Sequence, residues 1–572
     1  MQGILLIGMP YVGKSTIGRA IAKILGFGFH DGDDYIEKIH PDRQKFLDEH
    51  GDEKYIEMEG QVICTLPKED SILAPGGSII YSEESKDYLK DCFKVYLDAP
   101  LHVIEKRITE IDKRGIVKLK QMGLNGLYDE RKELFRNYCD VSILADGKDP
   151  LEIARHIVRH YALHQLGGNK SDIGYVSTNG ASKASFSDAL SQGLAPDRGL
   201  FVPTSIPAFT SDQIALMKHL PYSQIAFCVV RQFANIPDKE LLRMCEQAYT
   251  FDIPIENHDG LHIARMDQGP TASFKDFAAQ LLSRMMRHSI KGDITLLTAT
   301  SGDTGGAVGA AFSGLDKVKA IILMPENEVT DLQRRQMTTI GKNITAIRVR
   351  GKFDDCQALA KQAFSEIKGL SSANSICIGR LIPQVVYYFY IHSRTGCNTF
   401  AVPSGNFGNL VSGLIAKRMG MPVRFVAAVN ENDEVPRYFH MGNYKAVVPS
   451  RTCISNAMNV GNPSNLARLV WLYGGKMDEK GNVSVKPDME KMKKDILTIS
   501  ITDEETKKAI KEAYAKGIIL EPHGAVGFAA LEKLKNERLG KVVLLETAHP
   551  AKFPEELDKL GINYTMPKSM QG

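Results

Sequence analysis

Residues Gly8-Met9-Pro10-Tyr11-Val12-Gly13-Lys14-Ser15-Thr16 read as G-x-x-x-x-G-K-[ST], directly after the apolar run Ile4-Leu5-Leu6-Ile7 and before the amphipathic run Thr16 to Leu25. Strand, glycine loop and helix form the context in which this spacing has a physical meaning. The glycines let backbone N–H groups wrap phosphate oxygens, the lysine reaches the terminal phosphates, and the next hydroxyl ligates magnesium. The reading places Gly8, Gly13, Lys14, Ser15 and Thr16 around ATP, with Mg2+ on Ser15. A glycine turn that merely packs strand on helix is the alternative. Apolar runs at Ser71 to Leu73 and Phe93 to Leu97 extend the pattern and predict buried parallel strands.

Outward from this motif, a helical pattern from Pro150 to His164 precedes the polar, glycine-rich stretch Leu166 to Gly174, which marks a linker. The division expected is a P-loop domain over 1–165, a linker over 166–173 and a second domain over 174–572. Within the second, 174–255 forms a leading segment and 256–572 the catalytic lobes. Apolar strands at Ile294 to Leu297, Val318 to Leu323, Ile344 to Val349, Thr399 to Val402, Val423 to Val429 and Val542 to Leu545 alternate with helical periodicity. That alternation predicts an α/β fold with parallel sheets throughout.

Composition narrows the function classes. The 572 residues carry 71 basic and 68 acidic side chains, a net charge of +3, so no global field favours nucleic acid or anionic lipid. No apolar run approaches the roughly 18 residues of a membrane span. The opening Met1 to Ile7 lacks the basic flank and cleavage site of a signal peptide, which predicts a cytoplasmic protein. Nine scattered cysteines with no C-x-x-C pair predict reduced, mostly buried thiols. The partners expected are small molecules; no motif speaks to oligomeric state.

Three segments after the linker carry a second chemistry. Gly269-Pro-Thr-Ala-Ser-Phe-Lys275 places a lysine where a loop enters a helix, among apolar and small residues. Loss of ammonium solvation there favours the free amine, a nucleophile for carbonyls; an exposed helical lysine is the plain alternative. Thr298-Ala-Thr-Ser301-Gly302-Asp303-Thr304-Gly305-Gly306 and Pro403-Ser-Gly405-Asn406-Phe407-Gly408-Asn409 each follow an apolar strand and open a helix. Their unpaired N–H groups and helix dipoles favour anions. Two anion cradles and an activated lysine together ask for a carboxylate, a phosphate and a carbonyl in one cleft, which pyridoxal 5′-phosphate with an amino acid supplies.

The first 160 residues or so resemble the shikimate kinase family. Asp31-Gly-Asp33-Asp-Tyr-Ile-Glu37 is similar to the family's D-x-D-x-x-I-E element, Pro75-Gly76-Gly77-Ser78 to its glycine stretch, and Arg131 falls where the family grips a substrate carboxylate. The resemblance implies Mg2+ on Ser15 and Asp31, and an acceptor site of Asp33, Gly76, Gly77 and Arg131, with Lys113 or Arg114 as a lid cation. Two positions depart from the pattern. In Gly51-Asp-Glu-Lys-Tyr55-Ile56-Glu-Met-Glu59, where the family has G-E-x-x-F-R-x-x-E, a second carboxylate-binding arginine is Ile56, and in the glycine stretch a third glycine is Ser78. An aliphatic side chain cannot replace a bidentate guanidinium. For the acidic cluster Asp31 to Asp34 a solvated helix start is the alternative.

From about Gly174 onward the chain resembles the threonine synthase family. Tyr175-Val-Ser-Thr-Asn-Gly180, Ser185 to Pro203, Gly351 to Gln357, Asn374 to Gln384, Ser455 to Asn465, Glu521-Pro-His-Gly-Ala-Val-Gly527 and Thr547-Ala-His-Pro-Ala-Lys-Phe553 match family stretches in order. The resemblance implies a type II pyridoxal-phosphate fold of two α/β lobes, Lys275 as the lysine that carries the cofactor, and Gly405, Asn406, Phe407, Gly408 and Asn409 as its phosphate loop. Thr547 would bond an unprotonated pyridine nitrogen, Ser301, Gly302 and Thr304 would hold the substrate carboxylate, and Asp303 would lie near the phenolic oxygen. Arg380 serves the substrate phosphate or packing, and His523 and His549 catalysis or structure.

The implied reaction turns O-phospho-L-homoserine and water into L-threonine and phosphate. A phospho-lyase that stops at elimination and releases 2-oxobutyrate is the rival enzyme. For the first domain, the implied activity is ATP-dependent phosphorylation of shikimate or of homoserine, the latter feeding the second domain. A nucleotide-binding regulatory module without turnover is the non-enzymatic alternative.

Overall fold

The computed structural model of the chain describes residues 1–108, 115–168 and 172–570. It divides into two compact units, Met1–Gly168 and Asn169–Gly572. The first is built on five parallel strands in the spatial order Gly28–Asp31, Ser71–Ala74, Ile4–Ile7, Phe93–Asp98, Val141–Leu144. Ile4–Ile7 lies at the centre and is buried along its whole length, which is why an unbroken apolar run marks it. The two edge strands carry no such run. Gly28–Asp31 is half exposed, and Val141–Leu144 fully buries only Ile143.

Helix Lys14–Leu25 begins two residues ahead of its apolar periodicity, because Gly13 takes φ 107° and turns the chain in, a conformation open to glycine. The helix that closes the unit, Pro150–Leu166, starts on an Asp149 cap and continues past His164 because Leu166 is buried. The P-loop, Asp31 and the Pro75–Ser78 turn all leave from the carboxyl ends of strands, where ligands of open parallel sheets gather.

The second unit holds two main sheets. Six strands run in the order Ile496–Ser500, Arg424–Val429, Thr399–Pro403, Val542–Glu546, Leu261–Arg265, Ile255–His258. Four run in the order Ile344–Val349, Val318–Pro325, Ile294–Ala299, Leu370–Ser371, all parallel. The expectation of parallel sheets needs three amendments. Ile255–His258 pairs antiparallel at one edge, the leading segment forms a three-stranded antiparallel sheet from Lys183–Ala184, Tyr175–Ser177 and Phe201–Pro203, and Lys476–Met477 pairs antiparallel with Val483–Val485. These strands are short and their runs too mixed to stand out.

Helix Ile378–Thr395 is buried continuously from Ile378 to Ile391. An apolar surface all round means packing on every side, and this helix contacts Lys275–Ser289, Gly408–Arg418 and Tyr222–Val230. Each fully buried large aliphatic or aromatic side chain contributes roughly 1.5–3 kcal/mol. The core therefore fixes the lysine-bearing helix and the phosphate-loop helix against one shared support. All nine cysteines are free, with only Cys64 and Cys139 partly exposed. Among the described residues no helix is long and apolar enough to cross a membrane.

Candidate active sites

The loop that delivers Lys275 is pinned to the loop that carries Thr547. Ser273 and Ala548 form an isolated β-bridge, the Phe274 N–H donates to the Thr547 carbonyl at 2.9 Å, and the His549 N–H donates to the Ala272 carbonyl at 3.0 Å. Inside the loop, buried Asp276 accepts the Thr271 N–H at 2.9 Å and the Thr271 hydroxyl at 2.8 Å. A Cβ on Gly269 would lie 2.5 Å from the Asp276 side chain, so the loop closes only around glycine.

Lys275 opens its helix, and its Nζ donates to Asp303 Oδ2 at 3.0 Å while lying 4.6 Å from the Phe274 ring centre. The apolar setting read from sequence thus includes a carboxylate, and Lys275 is ion-paired. Asp303 Oδ1 accepts from Lys552 at 2.8 Å and from Gln333 at 2.9 Å. Burial opposes the Asp303 charge, but the ammonium groups of Lys275 and Lys552 outweigh it and hold the carboxyl well below the usual range. Lys552 is wholly buried and also donates to the Thr271 carbonyl at 2.9 Å. Sequence reading missed Lys552 and Gln333.

Lys275, Ser301, Thr304, Arg380, Gly405 to Asn409 and Thr547 line one cavity of about 110 Å³. Gly302 and Asp303 stand behind its wall. A Cβ on Gly302 would meet the Gln333 side chain at 2.4 Å, and the Gly302 N–H donates to Thr300 Oγ1 at 2.9 Å. Asn374 clamps the end of strand Ile294–Ala299 by bonding both the N–H and the carbonyl of Ala299. A larger cavity of about 720 Å³ opens elsewhere in this unit. It shares no wall residue with the lysine cavity and contains neither strand–loop–helix turn, so chemistry and not volume marks the site.

Several buried donors in the lysine cavity lack partners. Arg380 is 2% exposed, yet its Nε and Nη1 bond nothing; burial lowers its pKa to about 10. Asn409 Oδ1 accepts the hydroxyls of Tyr387 and Tyr388, each at 2.6 Å, which leaves Nδ2 as an unpartnered donor. Leaving a buried donor unmade costs about 1–3 kcal/mol, more if charged. Such groups clustered beside a glycine turn suit an anion.

His523 uses both ring nitrogens. The Ala457 N–H donates to Nε2 at 3.0 Å, and Nδ1 bonds Glu521. The same Glu521 accepts the Thr547 hydroxyl at 3.1 Å, so the single proton of Thr547 must turn away from Glu521 to serve a pyridine nitrogen. His549 accepts the Ala551 N–H at 3.1 Å and caps a turn; it lies off the cavity wall.

In the first unit, Gly13, Lys14, Ser15, Thr16, Asp31, Asp33, Gly76, Gly77 and Arg131 line a cavity of about 290 Å³. Gly8 lies outside it and serves the turn: at φ 151°, a Cβ there would meet the Leu97 carbonyl at 2.7 Å. Lys14 Nζ donates to the carbonyls of Gly8 and Met9 at 3.0 and 3.2 Å. Ser15 Oγ donates to Asp31 Oδ2 at 2.6 Å, a pair of hard oxygens that fits magnesium. Asp31 also caps the helix start by accepting the Asp33 N–H, so the helix-start and site readings coexist. Asp33 is held by Arg43 at 2.8 Å.

Arg43 was not singled out by sequence, whereas Tyr55 and Glu59 stand in the stretch Gly51 to Glu59 that resembles the family's G-E-x-x-F-R-x-x-E element, without a role assigned to them. Tyr55 and Glu59 line this cavity. Ile56 instead packs with Leu47, Tyr55 and Val117. Lys113 and Arg114 lie outside the described residues.

Comparison with known proteins assigns both regions. Residues 10–162 match the shikimate kinase family, 174–249 the threonine synthase N terminus, 252–547 the pyridoxal-phosphate dependent enzymes and 524–572 the threonine synthase C-terminal family. Threonine synthase of Haemophilus influenzae is 37% identical over 409 residues, spanning 68% of this chain and 91% of that protein. The chain belongs to the threonine synthase family. A crystal structure of threonine synthase from Escherichia coli superposes with a TM-score of 0.64 at 35% identity, covering 69% of this chain and 93% of that one. A pyridoxal-phosphate-bound threonine synthase from Brucella melitensis gives 0.65 at 34%, covering 70% and 94%. For a threonine synthase family member the unpartnered donor of Asn409, the glycine turn and the buried lysine form a donor set that fits pyridoxal phosphate, and the unpartnered donors of Arg380 remain for a second anion.

Proposed function

We propose that the second unit converts O-phospho-L-homoserine and water to L-threonine and phosphate with pyridoxal phosphate, and that the first is a Mg-ATP-dependent kinase for a small hydroxylated carboxylate. One observation carries the first reading: Lys275, both glycine turns and the unpaired Arg380 converge on one cavity in a chain of this family. Lys275 holds the cofactor, Gly405 to Asn409 cradle its phosphate, and Thr547 faces its ring nitrogen. When bound, the ring supplies an electron sink for negative charge at the substrate Cα.

The chain's own groups do the rest. Ser301 and Thr304, at the start of helix Asp303–Phe312, orient the substrate carboxylate. Arg380 takes the substrate phosphate. Lys275 Nζ removes the Cα proton and moves protons at Cβ and Cγ, so that phosphate leaves from Cγ and water adds at Cβ. Asp303 and Lys552 keep that amine in place.

In the first unit, the P-loop with Ser15 and Asp31 holds Mg-ATP, Asp33 receives the acceptor hydroxyl proton and Arg131 binds the acceptor carboxylate. The test of the synthase reading is product analysis after incubation with O-phospho-L-homoserine. Threonine and phosphate in equal amounts support it. Phosphate with 2-oxobutyrate alone replaces it by a phospho-lyase.

A further inference from the structure

Of the two departures from the shikimate kinase pattern, Ile56 packs against Leu47, Tyr55 and Val117 and does not line the acceptor cavity, whereas Ser78 does. Ile56 leaves no guanidinium at that position, and Ser78 Oγ donates to Glu59 Oε2 at 2.5 Å. Glu59 is 2% exposed, and among the described residues it forms no ion pair. Its Oε1 faces the glycine turn, where a Cβ on Gly76 would come within 2.2 Å of it. Arg131, 1% exposed, spends Nε and Nη2 on the Tyr81 hydroxyl and the Val117 carbonyl. Its Nη1 points at the neighbouring glycine, 2.5 Å from where a Gly77 Cβ would stand. The acceptor cavity therefore presents one carboxylate with no cation in contact and one unfilled guanidinium donor; Arg131 and Lys14 act on Glu59 only through space. A buried carboxylate with no cation in contact gains when a ligand brings one.

Resting on the kinase reading above, we propose that the acceptor of the first unit is a small amino acid with a side-chain hydroxyl, whose α-ammonium sits on Glu59 and whose α-carboxylate sits on Arg131. A simple hydroxy acid would leave Glu59 bare, and it would gain nothing from the loss of an arginine at Ile56. Burial raises the Glu59 carboxyl to about 7, and an arriving ammonium favours its ionised form. In the transfer step the acceptor hydroxyl oxygen bonds the γ-phosphorus of ATP as the bond from that phosphorus to the β-phosphate oxygen breaks. The hydroxyl proton passes to Asp33, and ADP leaves. With a γ-hydroxyl acceptor the product is the O-phospho amino acid that the second unit is proposed to consume.

The test gives the full chain Mg-ATP with L-homoserine, with 4-hydroxybutyrate, which is the same acceptor lacking the ammonium, or with shikimate. ADP formation is followed and products are identified by mass spectrometry. Homoserine should be preferred over 4-hydroxybutyrate by roughly 10–100-fold in kcat/KM, the worth of a charge-assisted contact. Glu59→Gln should make the two acceptors converge, chiefly through KM for homoserine. Equal use of the two by the unsubstituted chain, or preference for shikimate, overturns the inference while leaving the kinase reading intact. No ADP with any acceptor overturns both. The comparison of acceptors needs no variant, so it decides the matter even if Glu59→Gln fails to fold.

Discussion

In the first unit, the loop from strand Ile4–Ile7 into helix Lys14–Leu25 carries its own lysine and hydroxyl. In the second, the loop from strand Thr399–Pro403 into helix Gly408–Arg418 carries no cation. Its charges arrive from elsewhere, Arg380 from a central helix and Lys275 from the start of another. On the functions proposed above, the difference follows from what each loop is for. A phosphate to be transferred needs positive charge beside it throughout the reaction. A phosphate that only anchors a cofactor is served by N–H groups and a helix dipole, which leaves the lysine amine free for carbonyl chemistry.

If this division is right, two variants should split the protein cleanly. Lys275→Ala should lower threonine formation from O-phosphohomoserine by at least about 10⁴-fold, the upper range for a positioned acid–base group, with ATP-dependent phosphorylation unaffected. Lys14→Ala should lower ADP formation by about 10²–10³-fold, as loss of one electrostatic donor does, while phosphate release from added O-phosphohomoserine continues. A single substitution that silenced both reactions would show that the two sites are not independent.

Arg380→Lys sharpens the comparison at the next level. It keeps the charge but loses the planar fork, so phosphate affinity should fall by roughly 10–100-fold. Titration with pyridoxal phosphate and the KM for O-phosphohomoserine together tell which phosphate the guanidinium holds. If neither changed, the unpartnered Nε and Nη1 would have no ligand, and the assignment of Arg380 would fail.

The same contrast explains what sequence could show. The P-loop is local: nine consecutive residues state both the fold and the ligand, and the structure places Gly13 to Thr16 on one cavity wall. The lysine site is assembled from segments between Lys275 and Thr547, and it became legible because each segment separately has the strand, glycine loop and helix form. What stayed hidden were side chains that act through tertiary pairing. Lys552 reaches Asp303 and Gln333 fills the space beside Gly302, neither with a spacing that announces it; Glu59 ends the matched stretch Gly51 to Glu59, but its turn toward Gly76 shows only in the structure. Edge strands such as Val141–Leu144 were equally silent, since one exposed flank removes the need for an apolar run.

The two units also differ in how they use a buried acid, and the smallest expected effect tests this. Glu59 in the first unit faces a cavity, whereas Glu546 in the second is fully buried and off the cavity wall. It accepts the Glu521 N–H at 2.8 Å, and its Oε2 bonds nothing. Burial and then the charge of Glu521 push the Glu546 carboxyl well above the ordinary range. As pH rises past about 4.3, the unfolded chain releases this proton and the folded chain keeps it. The folded state then binds more protons, so this contribution to stability falls with rising pH until the folded group itself ionises. Glu546→Gln, shaped like the protonated acid, removes that dependence. Thermal denaturation should show variant and parent nearest at pH 5, with the variant gaining toward pH 8 by about 1.4 kcal/mol per pH unit for as long as the folded group keeps its proton. A variant that instead lost ground as pH rose would show Glu546 ionised against Arg265, 3.8 Å away, and would make the second unit's buried acid an ion-pair partner.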